Sequence, residues 1–207
     1  MRFKLFNIRF YLSFPLAAAL CIVLCVDSSM TAFCALINAC LHELGHIAVL
    51  KAYGCKIKSI TLSVFDISIK KTDCALSINS EIAVALSGAA ANIFCALLFL
   101  VTYLCFNIDI FRTLSLSALV LACFNLLPVA SLDGGCALML LMMKRLSLDK
   151  ASRILDIISG IVLLPMTVCG IILLIKSKYN FTLLFTSCYL TGIILIKKKR
   201  DFKTMQS

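Results

Sequence analysis

Long apolar runs separated by short polar stretches extend along most of this 207-residue chain. A helix needs about 20 mostly apolar residues to cross the hydrocarbon core of a bilayer. Runs of about that length predict six transmembrane helices, at residues 10–26, 30–52, 81–105, 111–130, 154–175 and 180–196. The first run follows a basic N-terminus but lacks a small-residue cleavage site, so we interpret it as an uncleaved span.

One stretch outside these runs has a different period. From Gly54 to Lys71, apolar and polar residues alternate and β-branched residues are frequent, which predicts a short β-hairpin between the second and third spans. An ordinary amphipathic loop is the alternative. A free strand edge there could bind an extended peptide by adding it as a further strand.

The predicted fold is therefore an all-α polytopic membrane protein with about six transmembrane helices and a short membrane-associated β-hairpin between helices 2 and 3. We expect one transmembrane domain over residues 1–207, with no PDZ domain and no C-terminal regulatory domain. The composition supports this, because 62% of the residues are hydrophobic, against about 45–50% in soluble domains.

The formal net charge of +10 does not indicate a nucleic-acid partner, because the basic residues flank the apolar runs. Of the 20 lysines and arginines, 17 fall on one side of the six predicted spans, which leaves Arg112, Lys176 and Lys178 on the other. The positive-inside rule then places the larger set, and both termini, in the cytoplasm.

The twelve cysteines do not predict a disulfide framework or a cysteine metal site. Nine lie inside apolar runs and no Cys-x-x-Cys occurs, so we interpret most of them as small apolar side chains that fill space between helices.

The second predicted span contains the sequence His42-Glu43-Leu44-Gly45-His46. Histidines four residues apart on a helix project from one face and can bind one metal ion, while the glutamate between them points about 100° away. In zinc hydrolases with this spacing, the glutamate takes a proton from a zinc-bound water that attacks a carbonyl. Charged groups are costly inside a bilayer, which also favours a functional site.

A catalytic zinc ion usually has three protein ligands, and these are the chain's two histidines. Among the ten acidic residues, Asp133 remains after those in loops and at the far surface are set aside. It follows Asn125-Leu-Leu-Pro128 at the predicted cytoplasmic end of the fourth span and precedes Gly134-Gly135. A plain Asp-Gly turn at a helix end is the alternative.

The third predicted span contains Ser87-Gly88-Ala89-Ala90-Ala91-Asn92. We interpret the small residues Gly88 to Ala91 as a close helix-packing surface. Asn92 differs from them, because an amide at that depth requires a polar partner, and the neighbouring metal motif could provide one.

The two motifs, His42-Glu43-x-x-His46 and Asn125-x-x-Pro128-x-x-x-x-Asp133-Gly134, together resemble the site-2 protease family of intramembrane zinc metalloproteases. The resemblance implies one Zn²⁺ bound by His42, His46 and Asp133, with Glu43 as general base. It implies a substrate-positioning or transition-state-stabilising role for Asn125 and a substrate-positioning role for Asn92, although Gly88-Ala89 departs from the family's frequent Gly-Pro. Small members look most similar to the bacterial sporulation-type branch, whose substrate is a membrane-tethered transcription factor precursor.

The resemblance therefore predicts an intramembrane zinc metalloendopeptidase of the bacterial cell membrane, which cleaves a membrane-embedded or membrane-tethered protein near the cytoplasmic face, with a membrane regulator as a further expected partner. A metal transporter or a non-proteolytic scaffold with the same ligands is the alternative. Transport would not need Glu43 and is often associated with internal repeats, which we do not find. An inactive relative is less favoured, because base and ligands are all present.

Overall fold

A computed structural model describes residues 2–5, 8–12, 27, 30–55, 57–62, 67–71, 74–177, 184 and 186–192. The chain divides into two compact units, Met1–Phe124 and Asn125–Ser207.

The described residues of the first unit form three helices, which are α1 (Thr31–Ala52), α2 (Ile78–Phe106) and α3 (Asp109–Asn125), whose last residue, Asn125, belongs to the second unit. Helices α1 and α2 have polar hydrogen-bond acceptors at their N-termini. The Asp27 carboxylate accepts a hydrogen bond from the Ala32 amide at 2.6 Å at the start of α1. The Ser77 hydroxyl accepts one from the Ser80 amide at 3.2 Å at the start of α2, which satisfies an otherwise unpaired helix donor.

Three helices of the described residues are long and apolar enough to cross a membrane, namely Thr31–Ala52, Ile78–Phe106 and Leu148–Lys176. They coincide with the spans predicted at 30–52, 81–105 and 154–175. The other three predicted spans are not confirmed. Helix α3 has only 17 residues and ends at Asn125 instead of residue 130. Residues 13–26 lie outside the described residues, as does most of 180–196, of which residues 184 and 186–192 are helical.

A four-stranded sheet also belongs to the first unit, with strands β1 (Arg2–Leu5), β2 (Ile8–Leu12), β3 (Ile57–Leu62) and β4 (Ile67–Lys71). Their order is β1-β2-β3-β4, and β3 and β4 pair antiparallel in the segment where the sequence predicted a hairpin. Strand β2 pairs with β3 in parallel, joining segments that are far apart in the sequence.

The two N-terminal strands correct the predicted fold, which had no strands there and began its first span at residue 10, inside β2. The residues from Arg2 to Leu12 mix basic and apolar side chains, and a basic stretch before an apolar run was interpreted as a membrane boundary. The strands depend on a distant partner, β3, which local pattern does not reveal.

A disulfide joins Cys55, just after α1, to Cys74, just before α2, with a Cα–Cα distance of 5.6 Å. It closes the loop that carries β3 and β4. Both cysteines lie outside the apolar runs, and their pairing was not predicted from the sequence. The bond therefore links the ends of the two helices that carry the first motif and the small-residue surface.

Helices α1 and α2 pack closely. A Cβ at Gly45 of α1 would lie 2.7 Å from the Ser87 carbonyl oxygen and 3.2 Å from the Cα of Gly88, so only glycine allows this approach. The interpretation of the small residues of α2 as a packing surface agrees with this contact. Helix α3 is joined to its neighbours by polar bonds, since the Ser115 hydroxyl donates to the Ala96 carbonyl at 2.8 Å.

The second unit contains α4 (Asp133–Met143) and α5 (Leu148–Ser177). Asp133 thus begins a helix that the sequence analysis did not predict, and it does not lie in a plain Asp-Gly turn. The non-helical segment 126–132 precedes α4. The backbone of this segment passes so close to Gly134 and Gly135 that a Cβ on either glycine would overlap its carbonyl oxygens.

Candidate metal centre

Helix α1 carries a row of inward-facing residues at four-residue intervals. Cys34, Asn38, His42 and Leu50 are buried, and His46 between the last two is half-buried. Residues at this spacing stack on one helix face. The motif histidines therefore lie on the side of α1 that packs within the protein, away from the surface that bears exposed Leu44.

The two imidazole rings converge on one point. Their Nε2 atoms are 3.3 Å apart, and the ring planes are inclined at 85° to each other. Two Zn–N bonds of about 2.05 Å at a tetrahedral angle would separate their nitrogens by about 3.3 Å. The Nε2 separation therefore fits two ligands of one tetrahedral zinc ion, which tests the predicted cofactor by geometry within the first unit.

The opposite nitrogen of His46 contacts the backbone of α2. Its Nδ1 lies 2.8 Å from the Val84 carbonyl oxygen and 3.3 Å from the Ser87 hydroxyl, which itself donates to the same carbonyl at 2.6 Å. A carbonyl oxygen can only accept a hydrogen bond. Neutral His46 must therefore carry its proton on Nδ1, which leaves the Nε2 lone pair available to a metal.

His42 is held by a side chain instead. Its Nδ1 lies 3.2 Å from Nδ2 of Asn92, which is fully buried in α2. The amide predicted to need a polar partner thus has one, and that partner is a motif histidine. Asn92 contacts the Nδ1 edge of the His42 ring, opposite the Nε2 atom that faces His46.

Gly88 lies directly against the converging nitrogens. A Cβ at this position would be 2.5 Å from Nε2 of His46 and 2.7 Å from Nε2 of His42. Distances below 3.0 Å do not occur for real Cβ atoms. The missing side chain therefore leaves room for the rings and for whatever they bind.

Glu43 follows His42 on α1 and is half-buried. Helical geometry directs it about 100° away from the histidine face. A carboxylate next to two metal-ligating histidines, but not on their face, can act as a base towards a water molecule held there.

The remaining predicted site residues belong to the second unit. Asn125 is the last residue of α3 and is half-buried. Asp133 is the first residue of α4 and is half-buried, with its Oδ2 atom inaccessible to solvent. An acid in the first turn is favoured by the helix dipole, which stabilises its anionic form.

The comparisons with known proteins agree with this picture. No family model matches the chain. It is 30% identical over 141 residues to a zinc metalloprotease of Methanocaldococcus jannaschii, an alignment that covers 66% of this chain and 41% of that protein. The solved structure of the site-2 protease from Methanocaldococcus jannaschii superimposes with a TM-score of 0.68 and 25% identity, over 92% of this chain and 91% of that one.

The chain is similar to a site-2 protease in fold and in sequence. The resemblance that rested on two motifs is thereby confirmed, and both similar proteins are named as proteases. The chain spans less than half the length of the zinc metalloprotease that it matches.

Three features of the site were not predicted from the sequence. They are the Val84 carbonyl, the Ser87 hydroxyl and the space left by Gly88. Val84, Gly88 and Asn92 are four residues apart, so they share one face of α2. Once Asn92 had been noticed, that spacing could have indicated which residues of α2 lie near the histidines. The role of the Val84 carbonyl could not be predicted, because every residue has a backbone carbonyl.

Proposed function

We propose that the chain is an intramembrane zinc endopeptidase that hydrolyses a membrane-embedded or membrane-tethered protein near the cytoplasmic face. The observation that carries the proposal is the pair of Nε2 atoms 3.3 Å apart, with Glu43 next to His42 in the chain. The relationship to a named zinc metalloprotease supports zinc over other divalent ions. Two imidazoles with a carboxylate are also a donor set that suits zinc.

Each residue has a separate task in this proposal. His42 and His46 bind one zinc ion per chain, and Asp133 supplies the third ligand that a catalytic site requires. When bound, zinc supplies Lewis acidity, which polarises a carbonyl and makes a water molecule reactive at neutral pH. Glu43 takes the proton of the attacking water and delivers it to the leaving amine. Asn125 positions the substrate, as the family resemblance implies.

The substrate must reach the centre as an extended chain, because a helical peptide has its backbone carbonyls engaged. Strand β4 ends the sheet order, so one of its edges faces no other strand of the described residues. We assign this edge to substrate, which would pair with it by β-addition before cleavage. A membrane-tethered transcription factor precursor, or its regulator, would be a substrate of this kind, with regulated intramembrane proteolysis as its role and sporulation as one such setting.

The experiment that tests the mechanism compares wild type, Glu43→Gln and the matched control Glu81→Gln in the same bacterial cells. Glu81 lies in the first turn of α2 and undergoes the same chemical change. Mass spectrometry of membrane-tethered proteins should find fragments with wild type and Glu81→Gln that are absent with Glu43→Gln, while all three purified proteins contain zinc.

Equal fragments from Glu43→Gln and wild type would contradict the mechanism. If no variant produces fragments although each purified chain carries one metal ion, the transporter or scaffold function is favoured instead.

The proposal includes a multi-pass topology with both termini in the cytoplasm, based on the distribution of basic residues. It also places the Cys55–Cys74 pair in the cytoplasm, where disulfides are usually reduced. We therefore expect both thiols to be free in growing cells and to pair on oxidation. A membrane-impermeant maleimide should label Cys55 and Cys74 only after the cells are opened, as peptide mass spectrometry would show. Labelling of these two cysteines in intact cells would reverse the topology.

A further inference from the structure

The two motif histidines differ in what faces their Nδ1 atoms. His46 faces the Val84 carbonyl, which can only accept, so one tautomer of the ring is fixed. His42 faces the side-chain amide of Asn92, which can present either its NH₂ group or its oxygen after a rotation of about 180°. Which ring nitrogen of neutral His42 carries the proton therefore depends on the orientation of that amide.

One orientation directs the amide nitrogen at the ring, with Asn92 Nδ2 donating to His42 Nδ1 at 3.2 Å. Neutral His42 then carries its proton on Nε2, from which it can donate to Nε2 of His46 at 3.3 Å. The two rings satisfy each other in this arrangement. However, His42 has no lone pair on Nε2 to offer a metal.

The other orientation directs the amide oxygen at the ring. Asn92 Oδ1 then accepts from the protonated Nδ1 of His42, and both Nε2 lone pairs point to the same place. In the first orientation, Oδ1 is buried and has no hydrogen-bond partner among the described residues. Rotation would give that oxygen a partner and would take the NH₂ group away from the ring. Of the two orientations, the rotated one suits a metal-bound pair, because it leaves both Nε2 lone pairs free for the metal.

We propose that Asn92 is a positioning residue that prepares His42 for zinc. Its amide oxygen holds the Nδ1–H tautomer when the metal is bound, and its NH₂ group holds the opposite tautomer when the metal is absent. An amide suits this task because it can both donate and accept. This inference rests on the proposed zinc site and assigns Asn92 to the histidine rather than to substrate.

The proposal predicts different zinc affinities for two substitutions of Asn92 whose new side chains are nearly equal in size. Asn92→Asp keeps an acceptor facing His42 but loses the donor, so it should bind zinc at least as tightly as wild type. Asn92→Leu removes both and should weaken zinc binding by about 10–100-fold, the usual effect of losing a partner of a ligating histidine.

Asn38 offers a matched control. It is also fully buried and lies one helical turn before His42, but its Nδ2 donates to the Leu114 carbonyl at 2.9 Å and the Ser117 hydroxyl at 2.7 Å. Asn38→Leu should therefore lower stability without changing zinc affinity comparably.

Zinc affinity of the purified full chain in detergent would be measured by competition with a chromophoric chelator at fixed pH. The order expected is Asn92→Asp at or above wild type, Asn38→Leu close to it, and Asn92→Leu well below. Nitrogen NMR of the imidazoles in wild type should also show the proton of His42 on Nδ1 with zinc and on Nε2 without it.

Two results would overturn the inference alone. These are a loss of affinity in Asn92→Asp equal to that in Asn92→Leu, and an NMR spectrum in which the His42 tautomer does not change with zinc. An equal loss of zinc affinity in Asn38→Leu would mean that Asn92 acts through general packing, which would also overturn the inference. Failure of wild type to bind zinc would instead refute the proposed function on which it rests.

Discussion

The region around the two histidines and the segment that leads to Asp133 are built in different ways. His42 and His46 lie on a regular helix, both rings contact polar groups of α2, and Gly88 leaves space beside them. Asp133 follows the non-helical segment 126–132. A substitution in the first region can therefore act on the rings directly, whereas one in the second must act through the backbone.

The largest effect should come from Gly88→Ala, because the new Cβ would lie 2.5 Å from Nε2 of His46 and 2.7 Å from Nε2 of His42. Both rings would have to move off the metal position. We expect zinc affinity to fall by more than about 100-fold, since even the loss of one ligand partner costs about 10–100-fold. Chelator competition on the purified protein measures this.

Gly160→Ala is the matched control for this change. Gly160 is a glycine of α5 whose added Cβ would meet nothing within 4 Å. The control should bind zinc like wild type. Unaltered affinity in Gly88→Ala would show that the rings do not occupy the place that the structure assigns to them.

The second region should be most sensitive at Ser159, a fully buried residue of α5. Its hydroxyl accepts a hydrogen bond from the Ala130 amide at 3.0 Å and donates to the Leu155 carbonyl at 2.7 Å. Ser159→Ala leaves the Ala130 N–H without this partner, at a cost of about 1–3 kcal/mol. We expect a lower denaturation temperature and, if Asp133 is a ligand, weaker zinc binding.

Thr167→Val provides the comparison for Ser159→Ala. Thr167 also lies in α5, but among the described residues its hydroxyl bonds to a single group, the Leu163 carbonyl of its own helix, at 2.8 Å. Its replacement should change stability less. Equal stability of both variants would mean that the Ser159 hydroxyl does not hold segment 126–132.

The same contrast explains what the sequence could predict. Residues four apart share a face in any α-helix. Once the apolar run around His42 and His46 had predicted a helix, their common face followed. The partners of the rings come from a second helix whose register against α1 depends on Gly45 and Gly88. Residue types identified Asn92 as a polar group in need of a partner, but not which ring it would meet.

In the second region, Pro128 and the two glycines predicted a break in the helix, and Asp133 was chosen because no other acid was suitably placed. The sequence did not predict helix α4, which begins at Asp133, or the hydrogen bond between the Ala130 amide and the Ser159 hydroxyl. Both depend on how the non-helical segment 126–132 pairs its backbone N–H and C=O groups. The N-terminal strands were missed for a related reason, since β2 pairs with a distant strand, for example Arg9 with Ser59.

The smallest effect should come from Ser87→Ala, although Ser87 also lies beside a motif histidine. Its oxygen is 3.3 Å from Nδ1 of His46, but the Val84 carbonyl is closer, at 2.8 Å, and remains after the substitution. We expect zinc affinity to change by no more than a few-fold, well below the loss in Asn92→Leu. If Ser87→Ala weakens zinc binding as much as Asn92→Leu, the hydroxyl and not the carbonyl fixes His46. If it does not, His46 is oriented mainly by a backbone group that no side-chain substitution removes, whereas the contact of Asn92 with His42 is one that a substitution can remove.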